Sequence, residues 1–283
     1  QLICIIFHLR HFSVKMECLP KSFMLNPLGL GLSKVLSQVT GSHNFLSVAE
    51  SELGIRHLCL ELDMGRRDYD ESLEIQTKIV LSRKENVFPD CLLFFEYPHI
   101  FTLGQVGKKE HLLVSSSELK RLGISVYQTG RGGDITYHGP GQLVTYPILD
   151  LKTWYKDVGL YLRTLEKVII ETLFDFGIEG EREPGMTGVW VKGFKIAAIG
   201  IKTSQWVTSH GLALNVNTDL KYFNFIVPCG LFSRGVTSMD KILGKSLKIK
   251  EVKDSLSFHF TDNFKRDRWL GEWDTVESLY AAK

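Results

Sequence analysis

One unbroken helical stripe followed at once by a two-armed β run sets the fold class of this chain. After Asp157, the residues Leu162, Leu165, Ile169, Leu173 and Phe176 step by 3, 4, 4 and 3, and Gly177 follows. That spacing predicts an amphipathic helix closed by a glycine in the left-handed region. Residues 188–201 then divide into two β-rich arms about Lys192-Gly193 and predict a hairpin, with 207–216 as a further strand. Upstream, Asp68-Tyr69-Asp70-Glu71 has capping-box spacing ahead of a helix to about Lys84, with Tyr69, Leu73 and Val80 on one face. Leu92 to Glu96 reads as a buried strand stopped near Pro98, and Ser115-Ser-Ser-Glu118 opens a short helix that Gly123 ends. From about Ile55 onward strands and helices interleave irregularly, which predicts an α+β fold rather than a doubly wound sheet. There is no internal repeat and no linker in mid-chain, so one domain over residues 55–264 is expected, with 265–283 as a tail.

Composition removes several classes. With 44% hydrophobic and 23% charged residues, wholesale disorder and collagen-like structure are out. A net charge of +2 exerts no global pull toward nucleic acid or a membrane surface, and neither is expected as a partner. The five cysteines (Cys4, Cys18, Cys59, Cys91 and Cys229) form no C-x-x-C pair, which argues against a disulfide framework and a structural zinc site; no metal and no cofactor are expected. Residues 1–50 hold only two acids, Glu17 and Glu50, beside six serines and the basic residues Arg10, Lys15, Lys21 and Lys34. This is the composition of an organellar transit peptide, so 1–54 is expected to be a leader or a disordered extension. The apolar run from Leu2 to Phe7 is far shorter than the roughly 20 residues of a membrane span.

Three places offer chemistry. Arg131-Gly-Gly-Asp-Ile-Thr-Tyr-His-Gly-Pro-Gly-Gln142 packs four glycines, an arginine and a histidine just before an apolar strand. Such a segment can lay main-chain N–H groups along a ligand. It is neither a Walker loop nor a G-x-G-x-x-G, and a glycine-rich turn with a structural His138 is the plain alternative. Cys229 sits in Ile226-Val-Pro-Cys-Gly230, where Pro228 and Gly230 bend the chain; a buried small hydrophobe is the plain alternative there. Lys195 stands where the alternation of its hairpin arm breaks down, since Ile196, Ala197, Ala198 and Ile199 are all apolar. It is either a solvated strand end or a buried amine whose desolvation makes it basic and neutral.

Together these segments resemble the lipoyl(octanoyl) transferases. The stretch Arg131 to Val144 and Tyr146-Pro-Ile-Leu-Asp-Leu151 are similar to the family's first signature. Thr187-Gly-Val-Trp-Val191, Lys195-Ile-Ala-Ala-Ile-Gly200, Ser209-His-Gly-Leu-Ala-Leu-Asn215 and Val227-Pro-Cys-Gly230 are similar to the later ones, in order. The likeness runs from about Leu58 to Met239, and the stretch before Cys229 is similar to organellar members from plants, which favours a plastid over a mitochondrion.

The resemblance implies an α+β fold like that of biotin and lipoate protein ligases, a mixed β-sheet flanked by helices. It implies transfer of an octanoyl or lipoyl group from acyl carrier protein to a specific lysine of a lipoyl domain, in 2-oxoacid dehydrogenases or the glycine cleavage H protein, by a monomeric enzyme. Cys229 would be the acyl-accepting nucleophile and Lys195 its proton partner. The implied substrate site comprises Arg131, Gly132, Gly133, Asp134, Ile135, Thr136, Tyr137 and His138 from the first signature, with Ala198, Ile199, Gly200, Gly211, Leu212 and Ala213 from the later ones. Gly132, Gly133 and Gly200 are candidate oxyanion donors, and His138 and His210 candidate orienting groups. Lys108, Lys109, Lys120 and Arg121 are candidates for a basic rim facing an acidic carrier. An ATP-dependent ligase of the same fold and a non-catalytic binder of carrier or lipoyl domains are the alternatives. Adenylate formation would mark the first, and an intact Cys229 with Lys195 speaks against the second.

Overall fold

The computed structural model describes residues 57–227, 235–274 and 277. In chain order they form β1 (Leu58–Arg66), α1 (Tyr69–Lys84), β2 (Asp90–Glu96), β3 (Ile100–Leu103), α2 (Ser116–Leu122), β4 (Ser125–Gln128), β5 (Ile135–His138), β6 (Gln142–Ile148) and α3 (Val158–Asp175). There follow β7 (Glu181–Glu183), β8 (Met186–Val191), β9 (Phe194–Ser204), β10 (Val207–Asn215), α4 (Met239–Leu243), α5 (Ile249–Phe264) and β11 (Asp267–Gly271). Eight strands make one sheet in the order β11-β1-β2-β6-β10-β9-β8-β7, and β4-β3-β5 make a small second sheet. The β1 pairings with β11 and β2 are parallel and the rest of the large sheet is antiparallel, so the sheet is mixed and the class is α+β. Among the described residues no helix is long and apolar enough to cross a membrane.

Strand alternation sorts the core into two faces. Cys59, Leu92, Phe94, Leu143, Leu212 and Leu214 point to one face, where α3 and α5 cover them. Leu60, Leu62, Cys91, Leu93, Phe95, Val144 and Ala213 point to the other, toward α1. The small sheet packs with α2 and the 3-10 turn Leu220–Phe225 around Phe101, Ile135 and Tyr137. The second face and the small sheet hold the cleft described below.

Helix α3 follows its stripe: Leu165, Ile169 and Leu173 are buried, Asp157 accepts the Leu160 amide as N-cap, and Gly177 has φ +74°. Helix α2 is capped as its sequence predicts, with the Ser115 hydroxyl accepting from the Glu118 amide and Gly123 left-handed. The Asp68 box does not close. Asp68 stands at the N-cap without a side-chain bond, because Glu71 pairs instead with Arg67 one turn back. The buried face of α1 includes Tyr69, as expected, but leaves Leu73 and Val80 half-buried at its margin. It centres on Ser72, Ile75, Gln76 and Ile79, with Gln76 Oε1 accepting the main-chain amide of His210 in β10.

Part of the chain beyond 264, expected as a tail, belongs to the sheet as β11. β11 pairs with β1 from Leu58↔Asp267 to Leu62↔Gly271, and Arg266 Nε donates to the buried Asp90 at 2.8 Å. Asp90 also accepts from Arg83 Nε at 2.7 Å and from the Asp150 amide at 2.9 Å, so one carboxylate ties α1, β2, β6 and the final strand together. The expected leader lies outside the described residues.

Candidate active site

The hairpin of β8 and β9 carries Lys195, and a bulge aims it. Its turn, Lys192-Gly193, has positive φ at both residues, as a tight two-residue hairpin turn demands. Val189 pairs with Ala197 but Trp190 with Lys195, so one extra residue is inserted in β9 between them. Ile196 and Ala197 consequently both enter the core under α3, while Lys195 and Ala198 both line the opposite cleft. The broken alternation around Lys195 is this bulge. Without it, Lys195 and Ala198 would face opposite sides of the sheet. Lys195 is half-buried, and its Nζ lies 4.8 Å from the centre of the Trp190 ring.

The cleft holds about 560 Å³ and gathers the two signatures. Every implied substrate residue lines it except Tyr137, together with Lys195 and His210. Tyr137 lies instead behind the wall, buried between Phe101 and Tyr222, with its hydroxyl 2.7 Å from His99 Nδ1. Sequence reasoning missed Tyr69, Tyr146, Leu162, Met186 and Thr187, which also line the cleft. Tyr146 and Thr187 each open a signature-like segment and so carry a sequence signal, whereas Tyr69, Leu162 and Met186 carry none beyond ordinary packing.

The glycine segment is wired down by polar bonds. Arg131 donates to the Thr102 carbonyl at 2.6 Å and to its hydroxyl at 2.9 Å. The glycines here let main chain and guanidinium close up together: a Cβ on Gly104 would collide with the Gly133 carbonyl and come within 2.8 Å of Arg131 Nη1, and one on Gly200 within 2.9 Å of the Gly132 carbonyl and 3.1 Å of Arg131 Cδ. From Arg131 the bonds continue in one direction. The Thr102 hydroxyl donates to His138 Nε2 at 3.3 Å and His138 Nδ1 donates to Gln142 Oε1 at 2.8 Å, which sets the imidazole tautomer. Gln142 Nε2 donates to Asn215 Oδ1 at 2.9 Å, Asn215 Nδ2 to the Thr237 carbonyl at 3.0 Å, and the Thr237 amide to the Lys195 carbonyl at 2.9 Å. The chain starts at the glycine signature and ends on the main chain of the lysine.

Burial and the guanidinium set the charge state of the cleft. Burial first, and Arg131 second, push His138 down to about 3 and His210 down to about 4, so both are neutral at physiological pH. Burial pushes Tyr69 up to about 12. Asp134 accepts from the Lys108 amide at 3.2 Å and the Ile135 amide at 2.7 Å and pairs with His111, whose carbonyl in turn accepts the Val227 amide at 2.8 Å. On the far wall, the fully buried Glu166 of α3 accepts the Gly188 amide at 3.1 Å and pairs with Arg163 at 2.6 Å and Arg182 at 3.0 Å.

Some expectations need correction. The Gly132 amide is already spent on the Ile201 carbonyl at 2.8 Å, so it is not a spare oxyanion donor. Lys120 and Arg121 lie on α2 away from the cleft, Arg121 paired with Glu118 at 2.7 Å. Lys108 and Lys109 are exposed on the loop that Asp134 holds. Cys229 lies outside the described residues, as do Cys4 and Cys18. Val227, tied to His111, and Gly235, whose carbonyl accepts the Lys195 amide at 3.1 Å, stand on either side of its segment. The two described cysteines, Cys59 and Cys91, are fully buried, and burial pushes both thiols well up, which disarms them as nucleophiles.

The profile of the lipoyl protein ligase A/B catalytic domain matches residues 68–261. The octanoyltransferase of Solibacter usitatus is 54% identical over 210 residues, covering 74% of this chain and 94% of that protein. That of Cytophaga hutchinsonii is 45% identical over 221 residues, covering 71% and 91%. In fold, the chain is similar to lipoate-protein ligase A bound with ATP, with a TM-score of 0.64 at 16% identity over 81% of this chain and 94% of that one. It is likewise similar to the bipartite lipoate protein ligase of Thermoplasma acidophilum, with a TM-score of 0.62 at 18% identity over 80% and 92%.

Proposed function

Because the chain belongs to the octanoyltransferases of the lipoyl protein ligase A/B family and is an acyltransferase of protein lipoylation, we propose that it moves an octanoyl group from acyl carrier protein to a lipoyl-domain lysine through a thioester on Cys229. The observation that carries this reading is the bulge in β9, which brings Lys195 into one cleft with the glycine signature and with Ala198, Gly200 and Gly211.

The steps balance without an external activator. Lys195, as the amine, takes the Cys229 thiol proton while the sulfur attacks the donor carbonyl, since the thiolate is the nucleophile. The carbon–sulfur bond to pantetheine breaks, and the Lys195 ammonium returns the proton to the leaving sulfur. The acceptor lysine amine then attacks the enzyme thioester. Its proton passes through Lys195 to the departing Cys229 sulfur, and an amide remains. One thioester replaces another at little cost, and thioester to amide is downhill, so the sequence of steps requires no ATP. Ala198 and Ala213, paired across the strands on the α1-side face, offer the acyl chain an apolar wall. Titrating at about 3 and about 4, His138 and His210 are too weakly basic to hold a proton near neutral pH, which leaves Lys195 as the proton carrier of the cleft, and Gly133 is the remaining oxyanion candidate from the first signature.

The test is to mix the protein with octanoyl-carrier protein and a lipoyl domain, without nucleotide, and follow octanoyl-lysine by mass. Octanoylated acceptor is the expected product. Acceptor modified only from free octanoate and ATP would make the protein a ligase instead. For residues 1–54 the proposal is an organellar address, resting on their serine-rich, acid-poor composition; plastid is placed before mitochondrion only on the likeness of the stretch before Cys229 to organellar members from plants. A fluorescent fusion of residues 1–60 that stays in the cytosol would reject it.

A further inference from the structure

We propose that Lys202, supported by Lys84, is the anchor for the phosphodiester of the donor's phosphopantetheine arm, an inference that rests on the carrier-dependent reading above. Lys202 stands on the same strand as Lys195, seven residues further on. Beyond the bulge, Ala198 pairs with Ala213 and Ser204 with Val207, and both partners belong to the core face on the α1 side. Residues 198, 200, 202 and 204 therefore share that face by alternation. Lys195, Ala198 and Gly200 line the cleft on it. Lys202 follows at the outer end, exposed, where a Cβ on Gly130 would come within 3.2 Å of its Nζ. Its positive charge also helps hold His210 neutral, which places it at the rim next to a cleft-lining ring. Lys202 makes no ion pair among the described residues. A second cation joins it from helix α1: Lys84 Nζ donates to the Ser204 hydroxyl at 2.9 Å.

The spacing suits the arm. Seven residues of strand cover roughly 23 Å, less the shortening at the bulge. An extended pantetheine arm crosses about thirteen bonds from sulfur to phosphorus, about 16 Å at the pitch of an extended chain. The lysine side chains close the difference from each end. A thioester carbonyl beside Lys195 thus leaves the phosphodiester near Lys202, where an ammonium acts on it as a point charge.

The experiment compares two small donors, S-octanoyl-phosphopantetheine and S-octanoyl-pantetheine, by the rate at which each acylates the full chain. The phosphorylated donor is expected to be about fivefold better in kcat/KM, the size of an exposed charge contact, with the advantage shrinking as salt rises. In Lys202→Ala the ratio is expected to fall to near one, and Lys202→Arg to restore most of it. Equal rates for both donors in the unaltered protein, or an undiminished ratio in Lys202→Ala with a native circular dichroism spectrum, would overturn the assignment. Both results are distinct from failure of the transfer reading, in which neither donor nor octanoyl-carrier protein acylates the chain, and which would take this inference down with it.

Discussion

The carbonyl of Lys195 accepts the amide of Thr237 at 2.9 Å, and the Thr237 carbonyl is in turn held by Asn215 Nδ2 at 3.0 Å. The strand bearing Lys195 is thus braced by a polar chain that begins at Arg131, in the glycine signature. Asn215→Ala cuts this brace and leaves the Gln142 amide and the Thr237 carbonyl short of a partner inside the protein. An unmade buried hydrogen bond costs about 1–3 kcal/mol, so denaturant unfolding is expected to show a loss of about 2 kcal/mol. The single-turnover acylation rate is expected to fall at least tenfold, because the lysine is no longer held in register.

Acid should unfold the protein through its neutral imidazoles. His138 and His210 titrate near 6.5 in the unfolded chain but at about 3 and about 4 when folded. The unfolded state therefore binds more protons below pH 6.5, and stability falls as pH drops from 6.5 toward 4. By pH 5 the loss is about 2 kcal/mol for each histidine. Melting temperatures measured between pH 7.5 and 5 check this, and His138→Gln is expected to flatten the slope.

A methyl group at residue 104 tests the close approach of the Gly133 main chain and, behind it, the seat of the Arg131 guanidinium. In Gly104→Ala the new Cβ meets Arg131 Nη1 and the Gly133 carbonyl. Overpacking of this kind costs about 1–3 kcal/mol. Here the displaced atoms belong to the cleft wall, so acylation is expected to drop by more than the stability loss alone explains. Comparing the acylation rate of the folded fraction with that of the unaltered protein gives the answer.

Much of this was legible in the sequence, and what was not has a physical reason. The α3 stripe and the β8–β9 turn are local, so periodicity and Lys192-Gly193 suffice to locate them. The glycine segment announced itself by composition. The bulge appeared only as a lapse of alternation at Ile196, because two-versus-one pairing is a property of both strands. Of the bracing residues, Gln142 and Asn215 close two of the signature segments but nothing in either shows that they meet, and Thr102 lies in no motif; their bonds to one another exist only once the sheet brings them together. The Asp68 box fails because Arg67 competes for Glu71, and β11 carries too little pattern to stand out from a tail, since three of its five residues are exposed and two half-buried.

Glu166 offers a test of the opposite wall. It is fully buried on the apolar side of α3 and holds the Gly188 amide between two half-exposed arginines. Glu166→Ala leaves that amide and both guanidiniums without their acceptor, and a loss of about 2 kcal/mol is expected once solvent screening of the arginines is allowed for. Glu166→Gln, which keeps an acceptor for Gly188, is expected to lose about half as much. Paired urea melts measure both.

The central claim is that the acyl group rests on one sulfur with one lysine carrying its proton. Intact-mass measurement after brief incubation with octanoyl-carrier protein tests it most directly. The unaltered chain is expected to gain one octanoyl group, Cys229→Ala none, and Lys195→Ala the same group at a rate lower by at least a hundredfold, the scale of a lost general acid–base. An octanoyl adduct that persists in Cys229→Ala, or a full-rate adduct in Lys195→Ala, would contradict the account.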